Sequence, residues 1–155
     1  TAGVVIFSCE KAERGAYQSL FQNRQVTKTY EAIAARSTLE FPISHRSRVS
    51  KGEPFFIMLE EDGEANTETI INVVETKGEL SRYQLNPVTG KQHQLRVHMA
   101  SIGSPILNDP FYPTLQPNKG EDYSKPLQLL AKKIEFIDPI SREIRVFESQ
   151  QALVL

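Results

Sequence analysis

The chain has 155 residues, 39% of them hydrophobic and 24% charged, with a formal net charge of -1 and a single cysteine. This is the length of one domain and the composition of an ordinary globule. It excludes an internal disulfide, a membrane-spanning helix and a uniformly basic nucleic-acid binder, so any affinity for a polyanion must come from local patches.

The elements read in order as follows. Gly3–Ser8 is apolar and β-branched and predicts a buried strand. Glu10–Asn23 predicts a helix with Ala12, Ala16, Leu20 and Phe21 inward. Thr27–Ala35 predicts a strand whose alternation sets Tyr30, Ala32 and Ala34 on one face. Ser37–Pro54 reads as irregular, with His45, Arg46, Arg48 and Lys51 clustered and no acid between Phe41 and Gly52. Such a loop either tracks an RNA backbone or is simply solvated. Phe55–Leu59 predicts a compact strand and Glu60–Glu64 an acidic hairpin turn that lacks the ligand alternation of a calcium loop. Thr67–Glu75 and Leu80–Leu85 predict a hairpin about Lys77-Gly78-Glu79.

The next stretch, Asn86–Tyr112, organises the rest. From Leu80 to Asn108 there is no acidic residue, while Arg82, Lys91, His93, Arg96 and His98 fall inside the window. Thr89 and Gly90 occupy the place of a helix N-cap. Leu95, Met99 and Ile102 mark a buried helical face, with Arg96 flanking it. Lys91 and His93 would lie in the first turn, where positive charge opposes the helix dipole unless an anion is near. Pro113–Pro126 is then a polar loop, Leu127–Phe136 a strand, Asp138-Pro139 a turn and Glu143–Phe147 a last strand before a fraying end.

Taken from the residues alone, Tyr30 is either a core tyrosine or a surface on which a base stacks, and Arg96 either a salt-bridged arginine or part of an anion site. His93 and His98 are five apart and share no helical face, so no zinc pair is expected. Ser101 and Ser104 lack a nucleophile elbow, and Thr89-Gly90-Lys91 lacks the upstream glycine of a P-loop. Asp109, in Leu-Asn-Asp-Pro, reads as a turn former.

The run Pro87-Val88-Thr89-Gly90-Lys91-Gln92-His93-Gln94-Leu95-Arg96-Val97-His98 resembles the signature P-x-T-G-R-x-H-Q-L-R-V-H of the RluA-type pseudouridine synthases. Ile102-Gly103-Ser104-Pro105-Ile106, Asn108-Asp109 and Tyr112 continue the match, Lys28-Thr29-Tyr30-Glu31-Ala32 is similar to the K-x-Y-x-A strand, and Thr1–Phe7 resembles the tail of the aspartate motif H-R-L-D-R-x-T-S-G-L-L-x-F. Lys91 stands where the family more often has Arg, which keeps the cation but not the bidentate fork. Leu130 stands where many members have His, and no role is assigned there.

The resemblance implies an α+β fold, a pseudouridine-synthase-like mixed and largely antiparallel sheet with flanking helices. It implies that residues 1–155 are one domain, the larger C-terminal part of a catalytic domain whose nucleophilic aspartate lies a few residues before Thr1. The implied reaction turns a uridine of structured rRNA or tRNA into pseudouridine without cofactor or metal. Tyr30 would pack on the flipped base and assist a proton transfer, and Arg96 would pair with the aspartate or, in its absence, face a vacant partner or borrow a solvent anion. Lys91, His93, Arg46, Arg48 and Lys51 would hold RNA phosphates. The expected protein is a cytoplasmic monomer with no membrane partner. A non-catalytic RNA-binding module and a small anion-binding domain remain as alternatives.

Overall fold

The computed structural model describes residues 1–117 and 124–155; part of the polar loop read at Pro113–Pro126 therefore lies outside the described residues. One eight-stranded sheet carries the fold, with two α-helices among those residues. The strands are β1 (Ala2–Gly3), β2 (Val26–Ala35), β3 (Ile43–Lys51), β4 (Met58–Glu61), β5 (Thr67–Lys77), β6 (Leu80–Pro87), β7 (Leu129–Ile137) and β8 (Ile144–Glu148), and the helices are α1 (Arg14–Gln22) and α2 (Gln94–Ser101). They run in the order β1-β7-β2-β6-β5-β3-β4, with β8 on β7. Only β1 with β7 is parallel; β2, β3, β4, β5, β6, β7 and β8 pair antiparallel. The sheet is mixed and largely antiparallel, as expected.

The pleat decides what each face holds. Tyr30 is registered with Leu85, Leu85 with Ile71 and Ile71 with Ile43, so these side chains share a face. Helix α2 lies on it. Leu95 and Met99 of α2 pack with Ala32, Ile71, Tyr83 and Leu85, and the half-buried Ile102 and Tyr30 border that core. The spacing that marked the helix's inner face is thus the spacing that seals the sheet. A second cluster, Val49, Ile57, Met58, Val97 and Tyr112, continues the core toward β4.

Several expectations are corrected. Ser37–Pro54 is not irregular: Ile43–Lys51 is strand β3, paired with β5 on one edge and β4 on the other. Its basic residues masked the pattern, because Arg46 and Arg48 point to solvent while Val49 is buried. Since β3 separates β4 from β5, the acidic segment after Glu61 is a connection between two non-neighbouring strands, not a hairpin turn. The strand read at Phe55–Leu59 starts only at Met58. At the N-terminus, only Ala2–Gly3 pairs with β7; the chain then leaves the sheet, and Val5 and Phe7 are 69% and 82% exposed. An apolar run reports affinity for a core, not that the run reaches one. Helix α1 begins at Arg14 rather than Glu10, and of its expected inner residues Leu20 is buried whereas Ala12 and Phe21 are exposed. The segment after Glu148 forms no regular element, yet it is tied down by Lys132 Nζ, which donates to Ser149 O (2.8 Å) and Gln151 O (3.2 Å).

Candidate active site

The site grows out of the turn between β6 and α2. Val88 N donates to Glu68 O at 3.0 Å, which lays the turn along β5. Two side chains then hold it. Thr89 Oγ1 accepts from Glu68 N (2.9 Å) and donates to Gln94 Oε1 (2.7 Å). Gln94 Oε1 also accepts from Lys91 N (3.1 Å), while Gln94 Nε2 donates to Glu68 O and Thr69 Oγ1, both at 3.0 Å. Both side chains are buried. A buried amide with its donors and acceptor all used is a rigid joint, so the Thr-Gly-Lys-x-His-Gln spacing reads as a device that fixes this turn.

The helix start differs from expectation. Lys91 and His93 precede the helix, and the cap position is His93, in the left-handed region at φ 52°, with no side-chain cap bond. A β-carbon is strained there, and packing holds it. Tyr112 Oη accepts from Met58 N at 2.9 Å and sits 2.9 Å from His93 Nδ1. Burial pushes the pKa of His93 down, and the nearby Arg96 adds to this against the pull of Asp109.

Arg96 is not left facing a vacancy. Its Nε donates to Asp109 Oδ2 (2.8 Å) and its Nη2 to Asp109 Oδ1 (2.6 Å). The guanidinium also stands 4.6 Å from the centroid of Phe111 and 5.2 Å from that of Tyr112. Asp109 keeps its expected role as a turn former as well, Oδ1 accepting from Phe111 N and Tyr112 N at 2.8 and 3.2 Å.

These elements enclose an open cleft of about 470 Å³ lined by Tyr30 and Lys28 of β2, Lys91, His93 and Arg96 around the turn, and Thr1. Tyr30, Arg96, Lys91 and His93 are thus brought together. Burial raises the pKa of Tyr30, so its phenol is neutral and able to donate near pH 7. Lys28 is the residue that sequence reasoning passed over. Its Nζ donates to Thr89 O at 3.3 Å, no carboxylate pairs with it among the described residues, and burial lowers its pKa. The signal was its period-2 spacing from Tyr30, which sends both toward one face.

The other predicted contacts are not at this cleft. Arg46 and Arg48 alternate with His45 and Val49 and so face the side of the sheet away from α2, with Arg46 4.0 Å from Glu68 and Arg48 2.9 Å from Glu61. Lys51 ends β3, opposite Met58, and is exposed. His98 meets neither His93 nor the cleft. It is fully buried beside His45 and Glu60, its Nδ1 2.9 Å from Thr69 Oγ1 and its Nε2 2.9 Å from Thr67 Oγ1 and 3.2 Å from Ser47 Oγ. No helix among the described residues is long and apolar enough to cross a membrane.

Comparison with known proteins gives this cleft a context. The family model described as RNA pseudouridylate synthase matches residues 1–101, a span that includes β2, β6 and nearly all of the site. The chain is 27% identical over 166 residues to the dual-specificity RNA pseudouridine synthase RluA of Pasteurella multocida, covering 98% of this chain and 69% of that protein. It is 31% identical over 119 residues to the pseudouridylate synthase RPUSD2 of Homo sapiens, covering 72% of this chain and 21% of that one. The solved structure of human RNA pseudouridylate synthase domain containing 1 superposes with a TM-score of 0.72 at 24% identity, over 92% of this chain and 62% of the other, and so shares the fold. On the strength of the model match, the chain belongs to the RNA pseudouridylate synthase family.

Proposed function

We propose that this chain is the larger part of a catalytic domain that isomerises a uridine of rRNA or tRNA to pseudouridine. The observation that carries the reading is one cleft shared by Tyr30, Lys28, Arg96 and Thr1. A nucleophilic aspartate a few residues before Thr1 would enter this cleft. Arg96 spends two of its five N–H groups on Asp109; the others are available to a second carboxylate, and a cation at such range keeps a carboxylate ionised. Tyr30 packs on the uracil and offers its proton to a ring atom. The C1′–N1 bond breaks, the uracil turns, the C1′–C5 bond forms, the C5 proton leaves and N1 gains one, so the change is an isomerisation and needs no external oxidant or reductant.

A base in a duplex is out of reach of such a cleft, so the uridine must leave its stack. Lys91 and Lys28 rim the cleft as a cationic cradle for the flanking phosphates, with the neutral His93 beside them as a hydrogen-bonding group. Lys51, at the end of β3 and outside the cleft, would meet phosphates beyond it. Arg46 and Arg48 can join the cradle only by exchanging their carboxylates for phosphates on the other sheet face. We place the protein in the cytoplasm as a monomer.

The Arg96–Asp109 pair also favours a second reading, an RNA-binding module in which the cation is already satisfied. The test is a uridine-to-pseudouridine assay on cellular RNA lacking the modification, with this chain beside a form extended through its upstream gene sequence. Product from the extended form alone supports the proposal. Product from the short chain places the nucleophile within these residues. No product from either leaves the binding module as the better account.

A further inference from the structure

The segment between β3 and β4 presents Phe55, 83% exposed, at the end of a ladder of aromatic rings. Phe55 and Phe56 meet edge-on with centroids 5.6 Å apart. Phe56 meets Phe111 at 5.4 Å, and Phe111 meets His93 at 5.6 Å, with the Arg96 guanidinium over its ring. His93 and Arg96 line the cleft, so the rings run without a break from the cleft wall to solvent.

The outermost ring is not on a loose tail. Gly52 N donates to Ile57 O (2.8 Å) and Ile57 N to Pro54 O (2.9 Å), which closes the loop tightly. Just beyond it Ile57 and Met58 are buried with Val97 and Tyr112. An isolated exposed phenylalanine on a soluble protein is ordinary; one that is rigidly mounted at the end of a ring ladder leading to a cationic cleft has a matching ligand in the nucleobase. The charge agrees: Lys51 stands at the root of the loop with no carboxylate at ion-pair distance among the described residues, and Lys91 rims the cleft, against one acid in the loop, Glu53.

We propose that Phe55 is a stacking platform for an unpaired nucleobase that flanks the uridine held in the cleft. The inference rests on the RNA reading above and adds a single-stranded neighbour to the substrate. Every base has a π face, so the platform selects for an unpaired nucleotide and not for its identity.

The chain contains no tryptophan, so Phe55→Trp places one fluorophore at the platform. The protein, with and without its upstream extension, is titrated with short oligouridylate, and binding is followed independently by the anisotropy of labelled RNA. The expected result is quenching of the introduced indole's emission that saturates with binding. Phe55→Ala is expected to weaken oligouridylate binding roughly tenfold with an unchanged slope of affinity against salt, because no phosphate contact is lost. Its melting temperature should stay that of the parent, because the ring is exposed. Phe55→Leu should weaken binding as Ala does. RNA bound without quenching, no binding by either form, or full affinity in Phe55→Leu overturns the platform. Pseudouridine formation without quenching removes this inference and leaves the proposed function standing; quenching in an extended form that makes no pseudouridine does the reverse.

Discussion

Arg96 and Asp109 form a two-point ion pair, Nε to Oδ2 at 2.8 Å and Nη2 to Oδ1 at 2.6 Å, with side chains only 12% and 0% exposed. It clamps helix α2 to the loop that follows it. A buried pair broken on one side leaves an uncompensated charge, so Asp109→Ala is expected to cost about 3–5 kcal/mol. Asp109→Asn keeps an acceptor for Phe111 N and Tyr112 N and should cost less. Chemical denaturation of the three proteins checks the order.

In the upstream-extended protein, Tyr30→Phe and Arg96→Ala are each expected to lower kcat by about 10²-fold or more, the scale of a positioned donor lost from an active site. Parent-like turnover in both would remove the site assignment. Lys28→Met is expected to raise KM for RNA and reduce its salt dependence, since a cation at the cleft rim is lost.

Stability should fall as pH drops below neutral. Burial holds His98 at a pKa of about 4, with His45 also opposing its charge and Glu60 favouring it. The unfolded chain takes up this proton near 6.5 and the folded one only near 4, so above 6.5 the site is neutral in both states and has no effect. Between those values the unfolded state binds more protons and stability declines, by an amount on the order of 3 kcal/mol once both have titrated. Glu60 acts in the same direction: burial raises its pKa, but hydrogen bonds from His45, Ser47 and Ser101 outweigh this and depress it, so its contribution is also lost in acid. His98→Gln should flatten the curve of unfolding free energy against pH; an unchanged slope would contradict the assignment.

Gln94→Ala deletes four hydrogen bonds and takes the acceptor from the buried Thr89 hydroxyl and from Lys91 N, although Thr69 keeps His98 and Thr89 still accepts from Glu68 N. A loss of about 1–3 kcal/mol per unsatisfied buried group is expected. Because the same amide holds Lys91 N, RNA affinity should fall as well, whereas Gln92→Ala, at an exposed neighbour, should leave both unchanged. Calorimetry and RNA binding on the pair read this out.

Much was legible without coordinates where local rules act alone. The strand at Thr27–Ala35 and the hairpin about Gly78 follow from alternation and a turn glycine. The inner face of α2 follows from helical spacing, and the family from the run Pro87–His98. Those signals are periodic or contiguous, so a linear reading captures them. Strand β3 escaped because its solvent face carries Arg46 and Arg48, and its register was set by β4 and β5, which come later in the chain. The partner of Arg96, thirteen residues on, the place of Lys28 beside Thr89, the seat of His98 between His45 and Glu60, and the ring ladder out to Phe55 all depend on contacts between separate elements. Residue type and spacing determined which groups this protein can offer to an RNA; only the folding of the sheet around α2 decided which of them meet, because a charge or a ring finds its partner by distance in space and not by distance along the chain.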